Sequence, residues 1–278
     1  MGRFDGVLLV SDFDNTLVYT LEALRAGRPA PPLPPENRTA LERFVREGGR
    51  FAVATGRALA TFSQHAETLP VNAPCVICNG AALYDFQTGR YLETILLDEA
   101  ALALGQSALD RFPGLAGEAY HLGNTIYTVQ PNELTRRHAR LTAVDVAEFP
   151  SLTEVPPPVG KLLFEGEHPE LERAAAFLAE RSRDYELIFS APHLLEMTAR
   201  GATKGGMVRR LAARLGISME HVYCVGDEAN DVSMLTAAKQ GFAPANCAQA
   251  ARDCGATLVC HATEGALAEV IDILDRRY

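Results

Sequence analysis

The chain has 278 residues, 47% hydrophobic and 22% charged, an ordinary globular composition with length for one large core or, as the better starting expectation, two smaller ones. A net charge of −9 argues against any general affinity for nucleic acid or anionic membrane. No apolar run approaches a membrane span, and the one at 6–10 is cut short by Ser11 and Asp12, so a soluble cytoplasmic protein is expected.

In chain order, VLLV (7–10) reads as a strand that ends in Ser11-Asp12-Phe13-Asp14-Asn15-Thr16. The proline-rich stretch 24–37 reads as an extended surface connection, and 36–47 as a helix stopped at Gly48-Gly49. FAVA (51–54) leads into Thr55-Gly56-Arg57, and CVIC (75–78) into Asn79-Gly80. Cys75 and Cys78 form a CxxC without a second pair, inside an apolar run, and read as buried thiols.

The middle of the chain has a different texture. Strands are expected at 91–96, 125–129, 161–166, 185–190 and 193–199, and helices at 98–112 and 168–182. This predicts a second α/β module with antiparallel pairings, inserted after about residue 82. Residues 203–215 then read as a helix stopped by Gly216, VYCV (222–225) as a strand before Gly226-Asp227, and TLVC (257–260) as a strand before His261. Helices are expected at 231–239 and 263–275. Runs that are continuously apolar suit parallel strands covered on both faces, and such sheets form sites beyond the carboxyl ends of their strands.

The polar residues at those ends have a common chemical reading. Convergence of Asp12, Asp14 and Asp227 would cost about 4 kcal/mol for a close pair at 4 Å in an intermediate dielectric. A hard cation removes that repulsion, and oxygen-only donors at this density favour magnesium. Magnesium in turn suggests a phosphate companion. Thr55 could offer its hydroxyl and backbone N–H to a phosphoryl group, Thr16 a further donor, and Arg57 charge. Lys204, one of only three lysines, sits at a helix start where the helix dipole disfavours it, which suggests a local anionic partner. Paired carboxylates can divide the chemistry, one attacking phosphorus and the other managing the leaving-group proton.

Asp12-Phe13-Asp14-Asn15-Thr16, Thr55-Gly56-Arg57, Lys204 within TKG, and Gly226-Asp227 with Asn230-Asp231 together resemble the four motifs of the haloacid dehalogenase-like superfamily. The resemblance is to its Cof-type phosphatases with a type IIB α/β cap, and ICNGAALYD (77–85) is similar to the stretch that enters that cap. It implies an α/β fold with a Rossmann-like parallel-sheet core at 1–82 and 199–278 and an inserted α/β cap containing an antiparallel sheet at 83–198. It implies a magnesium-dependent phosphatase acting on a small phosphorylated metabolite through an aspartyl-phosphate.

On that resemblance Asp12, Asp14 and Lys204 are catalytic, Asp12 as nucleophile and Asp14 as acid and base. Asp12, the Asp14 backbone carbonyl and Asp227 hold Mg2+, with Asp231 acting directly or through water. Thr16, Thr55, Gly56, Arg57, Asn79 and Asn230 form the phosphate- and substrate-binding set. Asp14 favours phosphatase over dehalogenase chemistry, because an alkoxide leaving group needs a proton and a halide does not. Asn15, where many relatives have Gly, resembles the sugar-phosphate phosphatases and points to a sugar phosphate or phosphorylated glycoside. Hinges are expected near Ala82-Leu83 and Arg200-Gly201, and His121, Asn124, Tyr127, His193 and Glu196 are candidates for substrate selection.

A sugar phosphomutase using the same intermediate is the alternative, disfavoured by the lack of a dense basic cluster in the insert. A sensor that has lost catalysis finds no support, since Asp12, Asp14, Lys204 and Asp227 are all present. A dinucleotide-binding oxidoreductase is disfavoured because no glycine-rich turn follows the first strand. No nucleic-acid or membrane partner is expected, and the chain is expected to be a monomer or homodimer.

Overall fold

The first apolar run becomes β1 in the structure, a computed structural model that describes residues 2–123, 125–136 and 146–278. In chain order the strands are β1 (Leu8–Ser11), β2 (Arg50–Val53), β3 (Cys75–Ile77), β4 (Ala82–Asp85), β5 (Arg90–Thr94), β6 (Ala116–His121) and β7 (Ile126–Val129). They continue as β8 (Val146–Glu148), β9 (Val159–Glu165), β10 (Tyr185–Ala191), β11 (Leu194–Ala199), β12 (Val222–Val225), β13 (Gln240–Pro244) and β14 (Thr257–Val259). Among the described residues they form three sheets.

The first sheet is wholly parallel, in the order β14-β13-β12-β1-β2. Its strands read as unbroken apolar runs because both faces are covered. Leu9, Phe51, Val53, Tyr223, Val225 and Phe242 pack against the helices Pro35–Arg46 and Ala266–Asp275. Leu8, Val10, Ala52, Val222 and Cys224, pointing the other way, pack against Lys204–Leu215 and Val232–Ala237. The strand order reverses beside β1, which puts Asp12, Thr55 and Asp227 together at the carboxyl ends near the reversal.

CVIC was expected to extend this parallel sheet, but the structure gives it only one parallel bridge, Ala54 to Val76. Its strand β3 instead starts an antiparallel set, β3-β4-β5. Leu83 and Leu92 of that set pack on the same side of the core as Val10 and Met207. The thiols of Cys75 and Cys78 are free, and burial pushes them up to about 12 and about 11. They are inert apolar filling.

The third sheet, β10-β11-β9-β6-β7-β8, is antiparallel except for the β7–β8 pair. Period-two alternation gives it two distinct faces. Leu162, Phe164, Val129, Leu195 and Met197 lie against the helices Glu99–Arg111 and His168–Arg181. Tyr120, Ile126 and Leu163 lie on the other face and meet Ala58, Cys78 and Ala81 of the parallel-sheet unit. Cross-strand register places Lys161 opposite both Tyr120 and Thr198, and Glu196 opposite Leu163, so polar groups share this inward face. No helix among the described residues is long and apolar enough to cross a membrane.

Candidate active site

The site forms where β1, β2 and β12 end. Asp12 follows β1 and donates its backbone N–H to the Val225 carbonyl, 2.8 Å away, which fixes the start of the loop on the neighbouring strand. Lys204, at the first turn of its helix, reaches between two carboxylates: its Nζ lies 2.7 Å from Asp12 Oδ1 and 2.6 Å from Asp231 Oδ1. All three side chains are buried. The ammonium that is misplaced for the helix dipole is thus compensated by two acids, which raise its pKa above the ordinary lysine value although burial opposes its charge.

Asp231 accepts two backbone N–H groups at its other oxygen, from Asp227 at 2.9 Å and Glu228 at 3.0 Å. Asp227 is held by the Thr16 hydroxyl, which donates to its Oδ1 at 2.7 Å. Carboxylate oxygens of Asp12, Asp227 and Asp231 all lie within 4.8 Å of one another. Burial pushes the Asp12 carboxyl up to about 7; Lys204 opposes that shift, and Asp231 and Asp14 add to it. Asp227 is also raised well above its ordinary value, by burial first and then by Asp12 and Asp231. Three buried acids against one lysine leave excess negative charge, and the oxygen-only donor set suits a hard divalent cation.

Asp14 stands apart from that cluster. Its carboxylate takes a two-point contact from Arg57, with Nε 2.8 Å from Oδ2 and Nη2 2.7 Å from Oδ1, and Thr20 donates to Oδ1 at 2.7 Å. Burial works to raise the Asp14 carboxyl, but Arg57 and Thr20 hold it below its ordinary value. Arg57, expected to contribute charge to a phosphate, is therefore engaged by Asp14 here and lies over the Phe13 ring at 5.1 Å. Thr20 carried no signal in the sequence, because nothing local marks a threonine as the partner of a carboxylate six residues earlier.

Thr55 keeps only part of its expected role. Its backbone N–H is committed to the Val76 carbonyl at 2.9 Å, so only the hydroxyl, which accepts from the Arg57 N–H at 3.1 Å, can still donate. Thr16 serves Asp227 instead of pointing to a ligand. Asn79 is buried with both ends of its amide engaged: its Nδ2 donates to Glu196 Oε2 at 2.5 Å, and its Oδ1 accepts from Asn230 Nδ2 at 2.9 Å. Among the described residues Asn230 Oδ1 is buried without a hydrogen-bond partner, in the same turn as Asp231. Gly56 lies under Asn79, whose side chain would be 3.1 Å from an added Cβ.

Asn15 adopts a left-handed conformation, with φ +57°, which asparagine tolerates better than most non-glycine residues. Its Oδ1 accepts from the Leu21 N–H and its carbonyl from Asn246 Nδ2. Among the selection candidates, Tyr127 packs at 4.7 Å on Phe149 and His121 accepts the Gly123 N–H. His193 lies 3.3 Å from the Gly166 carbonyl, and Asn124 lies outside the described residues. Glu196 meets the site, but through Asn79. Lys161, which no motif marks in the sequence, meets it through Gly56.

Two glycines seat Lys204. Gly80 has φ +104°, and a Cβ there would lie 2.3 Å from the Thr203 carbonyl, while one on Gly205 would lie 2.0 Å from the Ser233 carbonyl oxygen. Gly80→Ala should destabilise the protein by more than about 1 kcal/mol, since conformation and space both forbid it. Calorimetry should show a melting temperature several degrees lower; an unchanged one would mean that the approach of Gly80 to Thr203 relaxes freely.

The family model for haloacid dehalogenase-like hydrolases matches residues 9–271. The chain belongs to that family. Phosphatase YwpJ of Bacillus subtilis (strain 168) is 28% identical over 270 residues, covering 86% of this chain and 89% of the relative. A haloacid dehalogenase-like hydrolase of B. subtilis, solved as a structure, superposes with a TM-score of 0.81 at 26% identity, covering 96% of this chain and 99% of the other. The subclass IIB sugar phosphatase BT4131 superposes with a TM-score of 0.81 at 19% identity, covering 97% and 99%, a likeness of fold. The parallel-sheet unit and the antiparallel sheet with its two helices together share the fold of that subclass IIB phosphatase.

Proposed function

We propose that the protein is a magnesium-dependent phosphatase that hydrolyses a small phosphorylated metabolite, a sugar phosphate or phosphorylated glycoside, through an aspartyl-phosphate on Asp12. The observation that carries this reading is the state of Asp12. Oδ1 is fixed by Lys204, while Oδ2 accepts no hydrogen bond from the described residues and is free to attack. Asp12, Asp227, Asp231 and the Asp14 backbone carbonyl would hold Mg2+, which would neutralise phosphoryl charge and keep Asp12 ionised. The Thr55 hydroxyl and Lys204 would bind the phosphoryl group, with Gly56 giving the loop its close approach. Core segments 1–82 and 199–278 and a cap at 83–198 complete the reading.

In the first half-reaction Asp12 Oδ2 bonds to phosphorus, the bond from phosphorus to the leaving oxygen breaks, and that oxygen takes a proton from Asp14. In the second, Asp14 takes a proton from water, whose oxygen bonds to phosphorus as the bond to Asp12 breaks and phosphate leaves. An Asp14 held ionised by Arg57 cannot donate a proton, so the ion pair is the resting arrangement, and Asp14 must leave Arg57 before turnover. The sugar class rests on Asn15 and on the fold shared with a sugar phosphatase.

Assay of phosphate release from phosphorylated sugars, nucleotides, cofactors and glycerates, with magnesium and with chelator, tests the reading. Magnesium-dependent release, fastest from a sugar phosphate, is expected; no release from any compound, or release indifferent to chelation, would refute it. A second expectation concerns pH. The folded state holds protons on Asp12 and Asp227 more tightly than the unfolded chain, whose carboxyls titrate near 3.8. Stability from these groups is therefore full below about 4 and declines as pH rises towards 7. A bound cation offsets the charge that accumulates, so magnesium should raise the melting temperature more at pH 7.5 than at pH 5. Equal increments at both pH values would place the ion elsewhere.

A further inference from the structure

Two ionised cap side chains are almost wholly buried against the core. Lys161 on β9 and Glu196 on β11 are 3% and 4% exposed, and their Nζ and Oε2 lie 2.9 Å apart. A buried ion pair adds little stability over an apolar pair of the same shape, because desolvating both charges consumes most of their attraction. Neither residue ends its contacts within the cap. Lys161 Nζ also donates to the Gly56 carbonyl at 2.9 Å, with the Tyr120 ring 4.3 Å beneath it. Glu196 Oε2 also accepts from Asn79 Nδ2.

Both core partners belong to one backbone unit. Asn79, in a left-handed conformation with φ +55°, donates its backbone N–H to the Thr55 carbonyl at 3.0 Å, and the Cys78 N–H donates to the Arg57 carbonyl at 2.9 Å. The loop 55–57 is thus gripped at Gly56 by the cap lysine and at its flanks by the 78–79 turn, which the cap glutamate holds. From Asn79 the chain of hydrogen bonds continues to Asn230, beside Asp231.

We propose that Lys161 and Glu196 are positioning residues for the phosphoryl site: through Gly56 and Asn79 they set the loop that presents the Thr55 hydroxyl, and they do not touch the leaving group. The site is complete only while the cap sits on the core, which ties closure of the cap to phosphoryl binding. This inference rests on the phosphatase reading above.

The double variant Lys161→Met with Glu196→Gln removes both charges together and keeps side-chain volume, so the protein should fold with a melting temperature within a few degrees of wild type. Hydrogen exchange at the 55–57 and 78–79 amides should be at least tenfold faster in it, with the helix Lys204–Leu215 unchanged. With p-nitrophenyl phosphate, whose leaving group has no hydroxyls for a cap to read, kcat should fall at least tenfold and the inhibition constant of inorganic phosphate should rise at least tenfold. Glu196→Gln alone, which keeps an acceptor for Asn79, should lose less than Glu196→Ala.

Unchanged exchange at those amides overturns the proposal whether or not the protein turns over substrate. A loss confined to sugar phosphates, sparing p-nitrophenyl phosphate, also overturns it and assigns the pair to the leaving group. A wild type that releases no phosphate refutes the phosphatase reading, while the exchange comparison still decides the positioning role.

Discussion

Asp12→Asn should reduce phosphate release by about 10⁴-fold or more while leaving the protein folded. The amide keeps an oxygen for Lys204, so the 2.7 Å contact persists in form, and one negative charge leaves a cluster that already holds too many. The melting temperature in the absence of metal should therefore stay within a few degrees of wild type. What disappears is the oxygen proposed to attack phosphorus. Turnover within tenfold of wild type, measured on protein freed of wild-type contamination, would remove Asp12 from the chemistry.

Lys204→Met has the largest expected effect on stability. It leaves Asp12 and Asp231 buried and facing each other without the cation that lay between them. Breaking a buried pair by removing one partner costs about 3–5 kcal/mol, and here two acids lose theirs. For a chain of this size that is a fall of roughly 10 °C in melting temperature. The deficit should shrink at pH 5, where Asp12, whose carboxyl burial already pushes up to about 7, takes up a proton. It should shrink again when Asp12→Asn is added, because the second substitution removes one of the stranded charges. Additive losses in the double variant would show that Lys204 and Asp12 do not interact in solution.

The strands that carry the site were legible because they are apolar on both faces and stop abruptly at polar residues, as in VLLV before Ser11-Asp12 and VYCV before Gly226-Asp227. Strand ends alone point to a meeting of Asp12, Asp14 and Asp227; the structure groups Asp12 and Asp227 with Asp231, while the Asp14 carboxylate turns to Arg57. β13 was not anticipated: its Gln240, Gly241 and Pro244 mask an apolar pair that tertiary pairing with β12 and β14 makes a strand. β6 was hidden likewise, since Ala-Gly-Glu-Ala-Tyr-His has no periodicity of its own and is fixed by pairing with β7 and β9.

The protein partners of Arg57 and Asn79 were not legible, for a shared reason. Each was read by what its side chain can bind, while its partner, Asp14 or Glu196, was set by contacts 43 and 117 residues distant in the chain. A lone lysine in KLLFEG gives no sign that it reaches Gly56, 105 residues away. Tyr127 shows the converse, because alternation along β7 turns it towards Phe149 and the cap's helices.

The placement of β1 in the middle of the parallel sheet also bears on how the protein is made. Its partner β12 lies 211 residues later, from Ser11 to Val222, and a ribosome adding about 5–20 residues per second takes roughly 10–40 s to supply it. Throughout that interval one edge of β1 has no neighbour, while the inserted sheet, complete by Ala199, can already form on its own contacts. Nascent chains would thus carry a finished middle and an open flank, the kind of edge that holdase chaperones shield.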